Sequence, residues 1–167
     1  MIEKIMWQLI KLRNIFSRVL NSRRPSVEWR PEIKSVQELK QWVSDNFEYK
    51  HDPLGGYLDN IKSVGYMCWE YRVHGKITGD CDDIATFVAW ALSGMDAGIA
   101  GIWRVNIPRY GHVLCVWKGG DKYFYSSNRS FYAQEGFASI REIVDHYAER
   151  TGKKIGAKYY AEFEIDF

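Results

Sequence analysis

Apolar residues change their spacing once along this chain. Up to about residue 95 they recur mainly every three or four positions, and beyond residue 100 they mostly alternate. The first spacing is that of helices with one buried face, and the second is that of half-buried strands. Helices followed by a meander of strands, then one helix and one strand, do not make repeating βαβ units. The order predicts an α+β domain with an antiparallel sheet.

The element signals are local. Ser35 and Glu38 form a capping box ahead of an apolar face made by Val36, Leu39, Trp42, Val43 and Phe47. His51–Gly56 reads as a loop, Tyr57–Val73 as short helical pieces, and Gly75–Gly79 as a second loop. Asp82 to about Ser93 is apolar on most sides, which predicts a central buried helix with Gly94 and Gly98 at its end. Gly101–Ile107, His112–Lys118 and Lys122–Ser127 read as strands, with a hairpin turn at Gly119–Asp121 between the last two. Ser139 and Glu142 open a capped helix to about Arg150, and Lys158–Asp166 alternates as a final strand.

Charge divides the 167 residues in two. Six Lys and Arg against one Glu within residues 1–24 give +5, and seventeen against twenty over the rest give −3. The basic segment has helical periodicity through Ile2, Ile5, Met6, Leu9, Leu12, Phe16, Val19 and Leu20. Residues 1–31 therefore read as a basic amphipathic helix plus a Pro- and Arg-containing linker, and residues 32–167 as the domain. Such a helix suits a packing face, a partner or an anionic membrane surface. The mildly acidic body argues against nucleic acid. No apolar run reaches the length of a membrane span or of a secretory signal. Three widely spaced cysteines exclude a CxxC metal or redox motif and a disulfide scaffold. These features predict a reducing, cytoplasmic setting.

The segment that carries chemistry is Gly79-Asp80-Cys81-Asp82-Asp83, just before the buried helix. A thiol in the first turn of a helix feels unpaired N–H groups and the positive end of the macrodipole, and both favour thiolate. Gly79 frees the backbone to turn there. Asp82 and Asp83 read as charge and capping for the helix start, and their negative charge makes a cationic partner for the thiolate more important. His112, opening a strand, has the chemistry of that partner. Alternation puts His112, Leu114 and Val116 on one face, and Val113, Cys115 and Trp117 on the other. The next strand ends in Ser126-Ser127-Asn128, so Asn128 or Ser127 is the candidate to orient the imidazole. Cys68 and Cys115 read as core. His51, His74 and His146 lack metal-ligand spacing, and Asp80, Asp82 and Asp83 lack that of a calcium loop, which predicts no metal and no cofactor.

Gly79-Asp80-Cys81-Asp82-Asp83-Ile84-Ala85, then Gly111-His112-Val113, then Tyr123-Phe124-Tyr125-Ser126-Ser127-Asn128, resembles the transglutaminase-like superfamily, in particular its bacterial transglutaminase-like cysteine peptidases. The resemblance covers about residues 35–130. It implies a papain-like fold, with the Cys-bearing central helix packed on an antiparallel sheet. It also implies acyl transfer or amide hydrolysis on a protein, peptide or small amide, with Cys81 as nucleophile and His112 as base. Trp69, Asp80 and Gly111 are implied on the substrate side, Trp69 as a wall of the acyl site. The family usually has Asp where this chain has Ser127 or Asn128. That departure keeps a second expectation open, a catalytically silent binding or structural module of the same fold.

Overall fold

The computed structural model describes residues 25–51, 61–93, 95, 97–103, 111–152 and 160–163. The basic helix read over residues 1–24 lies outside them, as do most of the loop after His51 and the residues just before Gly111.

Four helices and seven strands are present among the described residues. Their order is α1 (Val36–Asn46), β1 (Phe47–Tyr49), α2 (Val64–His74), β2 (Ile77–Gly79), α3 (Cys81–Ala91), β3 (Gly98–Trp103), β4 (Gly111–Gly119), β5 (Lys122–Ser127), β6 (Ser130–Phe137), α4 (Ile140–Thr151) and β7 (Tyr160–Phe163). Strands β3 to β7 form one antiparallel sheet in the order β6-β5-β4-β3-β7. The α+β class with an antiparallel sheet is therefore as the change of period predicts.

Both capping boxes form. Ser35 accepts from the Glu38 N–H and Ser139 from the Glu142 N–H. The Glu38 and Glu142 carboxylates reach back to the N–H groups of Lys34 and Ala138 at 2.8 Å each. These contacts satisfy donors that a helix start leaves unpaired. The β4–β5 turn places Gly120 at φ 61°, a left-handed conformation that favours glycine.

Four elements differ from the sequence reading. Residues 64–74 form one continuous helix, started by Ser63 and ended by Gly75 at φ 71°. β1 and β2 pair in parallel, Phe47 with Ile77 and Tyr49 with Gly79, where a helix end and a loop were expected. β6 completes a hairpin with β5 and carries a register irregularity, which obscures its alternation. The segment read as a linker lies along the domain. Val27 N–H donates to the Gly65 carbonyl at 3.1 Å, and Trp29 stacks on Tyr71 with centroids 5.2 Å apart. Arg30 donates to the Trp90 and Ala91 carbonyls, placing a cation at the negative end of α3, whose last turn has none of its own.

The sheet is covered on both faces. On one face, Cys115 and Trp117 of β4 pack with Ile84, Phe87 and Val88 of α3 and with Leu92 just after it, behind which lie Leu39, Val43 and Met67. Phe87 is fully buried, stacked on Trp42 with centroids 4.8 Å apart and edge-on to Phe47. On the other face, Leu114, Val116 and Tyr125 pack with Ile143, Val144 and Tyr147 of α4. The alternation of β4 thus separates its residues as its sequence predicts. Truncating Phe87 to Ala empties the middle of the first layer. The expected loss is about 3–5 kcal/mol of stability, read as a drop in the urea midpoint. No helix among the described residues is long and apolar enough to cross a membrane.

Candidate active site

Cys81 is the first residue of α3 and is half-buried. Asp80 caps the helix from an extended backbone, and its Oδ1 accepts from the Asp82 N–H at 3.2 Å. The cap is therefore Asp80; Asp82 and Asp83 stand in the acidic first turn, as the sequence suggested, but do not cap the helix. The residue just before the helix has the extended backbone that turns a short carboxylate back onto a first-turn N–H. Asp82 and Asp83 instead point inward and are buried. Asp83 Oδ1 accepts from the Lys62 N–H at 2.7 Å, tying the helix start to the segment ahead of α2. That segment is fixed further by Lys62 Nζ, which pairs with Glu70 at 3.0 Å while Thr78 Oγ1 donates to Glu70 at 2.7 Å. One carboxylate oxygen from each of Asp80, Asp82 and Asp83 lies within 4.8 Å of the others. Their combined charge opposes a thiolate at Cys81.

Gly79 has a role other than the one expected. Its φ is not in the left-handed region, so no sharp turn requires it. A Cβ there would stand 2.7 Å from Asp83 Cβ and 2.6 Å from Asp83 Oδ2. Glycine is required because the inward-facing Asp83 passes against the backbone of β2.

Two observations bring Cys81 to the end of the sheet where His112 stands. The Lys118 N–H donates to the Met95 carbonyl at 3.3 Å, which fixes the end of α3 at the far end of β4. Eleven residues of helix span about 16 Å, and His112 to Lys118 spans about 20 Å of strand, so α3 begins near the start of β4. Independently, Arg129 in the β5–β6 turn donates to the Phe47 carbonyl of β1, and β1 pairs with the strand that leads directly into Cys81. Cys81 heads the helix that covers one face of β4, and His112 lies on the other face of that strand. α3 covers the face of Cys115 and Trp117, whereas the His112 ring stacks on Tyr147 of α4, centroids 5.2 Å apart and 10° from parallel.

His112 Nε2 is 2.8 Å from Ser127 Oγ. Of the two candidates to orient the ring, Ser127 makes the contact. It shares the face of Tyr125 by alternation, and that is the face of His112. Asn128 begins the β5–β6 turn at φ 50°, and its Oδ1 is buried without a hydrogen-bond partner.

A cavity of about 650 Å³ opens beside Ser127, between β1, the β5–β6 turn and the last turns of α4. Tyr49 and Tyr147 line it together with Asn128, Arg129 and Arg150. Burial pushes the Tyr49 hydroxyl up to about 12, helped by the negative charge available at Cys81, Asp80 and Asp82 and by Tyr147. Tyr49 is therefore a neutral donor at physiological pH, within electrostatic reach of both Cys81 and Tyr147. Sequence reasoning missed Tyr49 because it lies on a three-residue strand with no readable period. Tyr147 had a signal: it follows Ile143 and Val144 on the apolar face of a capped helix.

The other candidates fall elsewhere. Trp69 stacks on Tyr66 of its own helix, centroids 5.5 Å apart, and meets His74 edge-on; it does not line the cavity. Gly111 opens β4, paired with Trp103. Cys68 and Cys115 are buried, as expected of core thiols. Burial pushes Cys68 up to about 11 and Cys115 also upward. A thiol held above its ordinary value binds its proton more tightly in the folded chain. Its contribution is full below pH 9 and is lost as pH rises from about 9 towards 11. The urea midpoint is therefore expected to fall across that window, and to fall less in Cys68→Ala.

No protein-family model, no curated protein and no solved structure matches this chain.

Proposed function

We propose that this chain is a cysteine-dependent amide hydrolase or acyl transferase with a transglutaminase-like, papain-like core. The observation that carries the reading is the 2.8 Å contact of His112 Nε2 with Ser127 Oγ at the end of the sheet where α3 begins with Cys81. With Nε2–H donating to Ser127, Nδ1 is the ring nitrogen that takes the thiol proton. The stacked Tyr147 ring fixes the imidazole plane.

The thiolate sulfur then bonds to an amide carbonyl carbon, and the helix-start N–H of Cys81 stabilises the oxyanion. The C–N bond breaks as His112 returns its proton to the leaving amine. Water or a second amine adds to the thioester, His112 takes its proton, and the C–S bond breaks. Water gives hydrolysis and an amine gives transamidation.

A second reading is a silent binding module of the same fold. It is favoured by Ser127 standing where a carboxylate would hold the imidazolium by charge, and by three carboxylates around the helix start.

Iodoacetamide alkylation followed against pH at each cysteine separates the two readings. Cys68 and Cys115, buried and pushed upward, serve as unreactive controls. The enzyme reading expects Cys81 alone to react in the native protein, with a midpoint well below pH 7. A midpoint at or above the ordinary value of about 8.5 supports the silent module.

A further inference from the structure

Ser127 has the placement of a nucleophile in its own right. Its Oγ lies 2.8 Å from His112 Nε2, within the reach that a general base needs. Both residues stand on the sheet face that α4 covers, whereas Cys81 heads the helix on the other face. A base must itself be held in place. The Tyr147 ring, 10° from parallel and 5.2 Å away between centroids, fixes the plane of the imidazole. The direction of the hydrogen bond follows the ring proton. With that proton on Nε2, His112 donates and Ser127 orients the ring. With it on Nδ1, the Ser127 hydroxyl donates to Nε2, which can then take the hydroxyl proton.

Ser127 is also placed to meet a substrate. Strand β5 ends there, and a two-residue turn with Asn128 at φ 50° carries the chain to Ser130. Ser127 is half-buried on the wall of the cavity of about 650 Å³, a volume within the roughly 300–1,000 Å³ typical of ligand sites. Tyr49, Tyr132 and Tyr147 give the cavity aromatic surface, which suits a small apolar acyl or aryl group. Tyr49 keeps its proton at physiological pH, so its hydroxyl is a donor of the kind that holds an oxyanion.

We infer that Ser127 is a second nucleophile with His112 as its base, and that the pair cleaves small carboxylic esters taken up by the cavity. Ser127 Oγ bonds to the ester carbonyl carbon as His112 Nε2 takes the hydroxyl proton. The bond to the alcohol oxygen breaks, and His112 returns the proton to the departing alkoxide. Water then adds to the acyl-serine, His112 takes its proton, and the bond from the acyl carbon to Ser127 Oγ breaks as that oxygen is reprotonated. Esters are the class expected because an alkoxide leaves more readily than an amide nitrogen. The inference goes beyond the reading under Proposed function: it shares the imidazole but needs no thiol.

The test is phosphonylation of the full chain carrying Cys81→Ala, so that no thiol competes for the base. The probe is an alkyl fluorophosphonate at pH 8, where an imidazole of ordinary pKa is neutral. Ser127 Oγ bonds to phosphorus, fluoride leaves, and the proton goes to His112. Peptide mapping is expected to find the phosphonyl group on Ser127 and not on Ser130, which lines the same cavity across the turn. His112→Gln can hydrogen-bond Ser127 but cannot take its proton, and is expected to slow labelling at least about 100-fold. The Cys81→Ala protein is expected to hydrolyse phenyl butyrate, and to lose that activity in step with labelling.

No phosphonylation, equal phosphonylation of Ser130, undiminished labelling in His112→Gln, or phenyl butyrate hydrolysis that is absent or survives labelling would each overturn the assignment. The two proposals fail separately. Labelling of Ser127 in a protein whose Cys81 alkylates at the ordinary midpoint keeps the serine pair and sinks the thiol enzyme. A low Cys81 midpoint with Ser127 unlabelled does the reverse.

Discussion

Replacing His112 with Ala is expected to move the alkylation midpoint of Cys81 from below pH 6 to above pH 8. A thiolate paired with imidazolium titrates as low as about 3–4, against about 8.5 for a free cysteine. Without the imidazolium only the helix N-terminus favours the thiolate, and Asp80, Asp82 and Asp83, clustered within 4.8 Å, oppose it. The midpoint is the proper readout because rate alone understates the effect. A thiolate of low pKa is a weaker nucleophile, by roughly half a decade per unit of pKa. That cancels the gain near pH 7 and leaves a difference of about tenfold near pH 5. Ser127→Ala is expected to give a smaller shift in the same direction, since it removes the ring's partner and leaves its charge. Ser127→Asp supplies a carboxylate at Nε2 and is expected to lower the midpoint below that of the wild type. A midpoint unmoved by His112→Ala would show that the two residues share an end of the sheet without pairing.

Replacing Gly79 with Ala is expected to destabilise the domain by about 2–4 kcal/mol and to disturb Cys81 with it. The new methyl would meet Asp83 at its Cβ, 2.7 Å away, and not merely at the mobile end of the side chain. Asp83 has little room to move. It is fully buried, and its Oδ1 holds the Lys62 N–H. The strain therefore passes into the start of α3, two residues from the thiol. Gly75→Ala is the control. Gly75 sits at φ 71° with nothing within 4 Å of a new Cβ, so only the left-handed backbone is penalised, by about 1 kcal/mol. Urea denaturation of the two variants reads the contrast. Equal losses would mean that the close approach at Gly79 is relieved at no cost.

The sequence alone determined what depends on neighbours along the chain. Capping boxes are local, so Ser35 with Glu38 and Ser139 with Glu142 were legible and start α1 and α4. The nine-residue strand β4 is long enough for alternation to assign His112 and Cys115 to opposite faces. The apolar run read from Asp82 placed the start of α3 within one residue of Cys81.

The tertiary structure alone decided what depends on residues far apart in sequence. β1 and β2 are three residues each, too short for any period, and exist because Phe47–Tyr49 meets Ile77–Gly79 some thirty residues later. The choice of Ser127 over Asn128 rests on the register of two strands, since a step of one residue exchanges faces. The inward turn of Asp83 follows from its contact with Lys62, twenty-one positions earlier. The cavity is made by β1, the β5–β6 turn and the end of α4, three pieces that no local pattern joins. Local hydrogen bonding and side-chain period are encoded by adjacent residues. The site is encoded by which distant segments the sheet brings to one end.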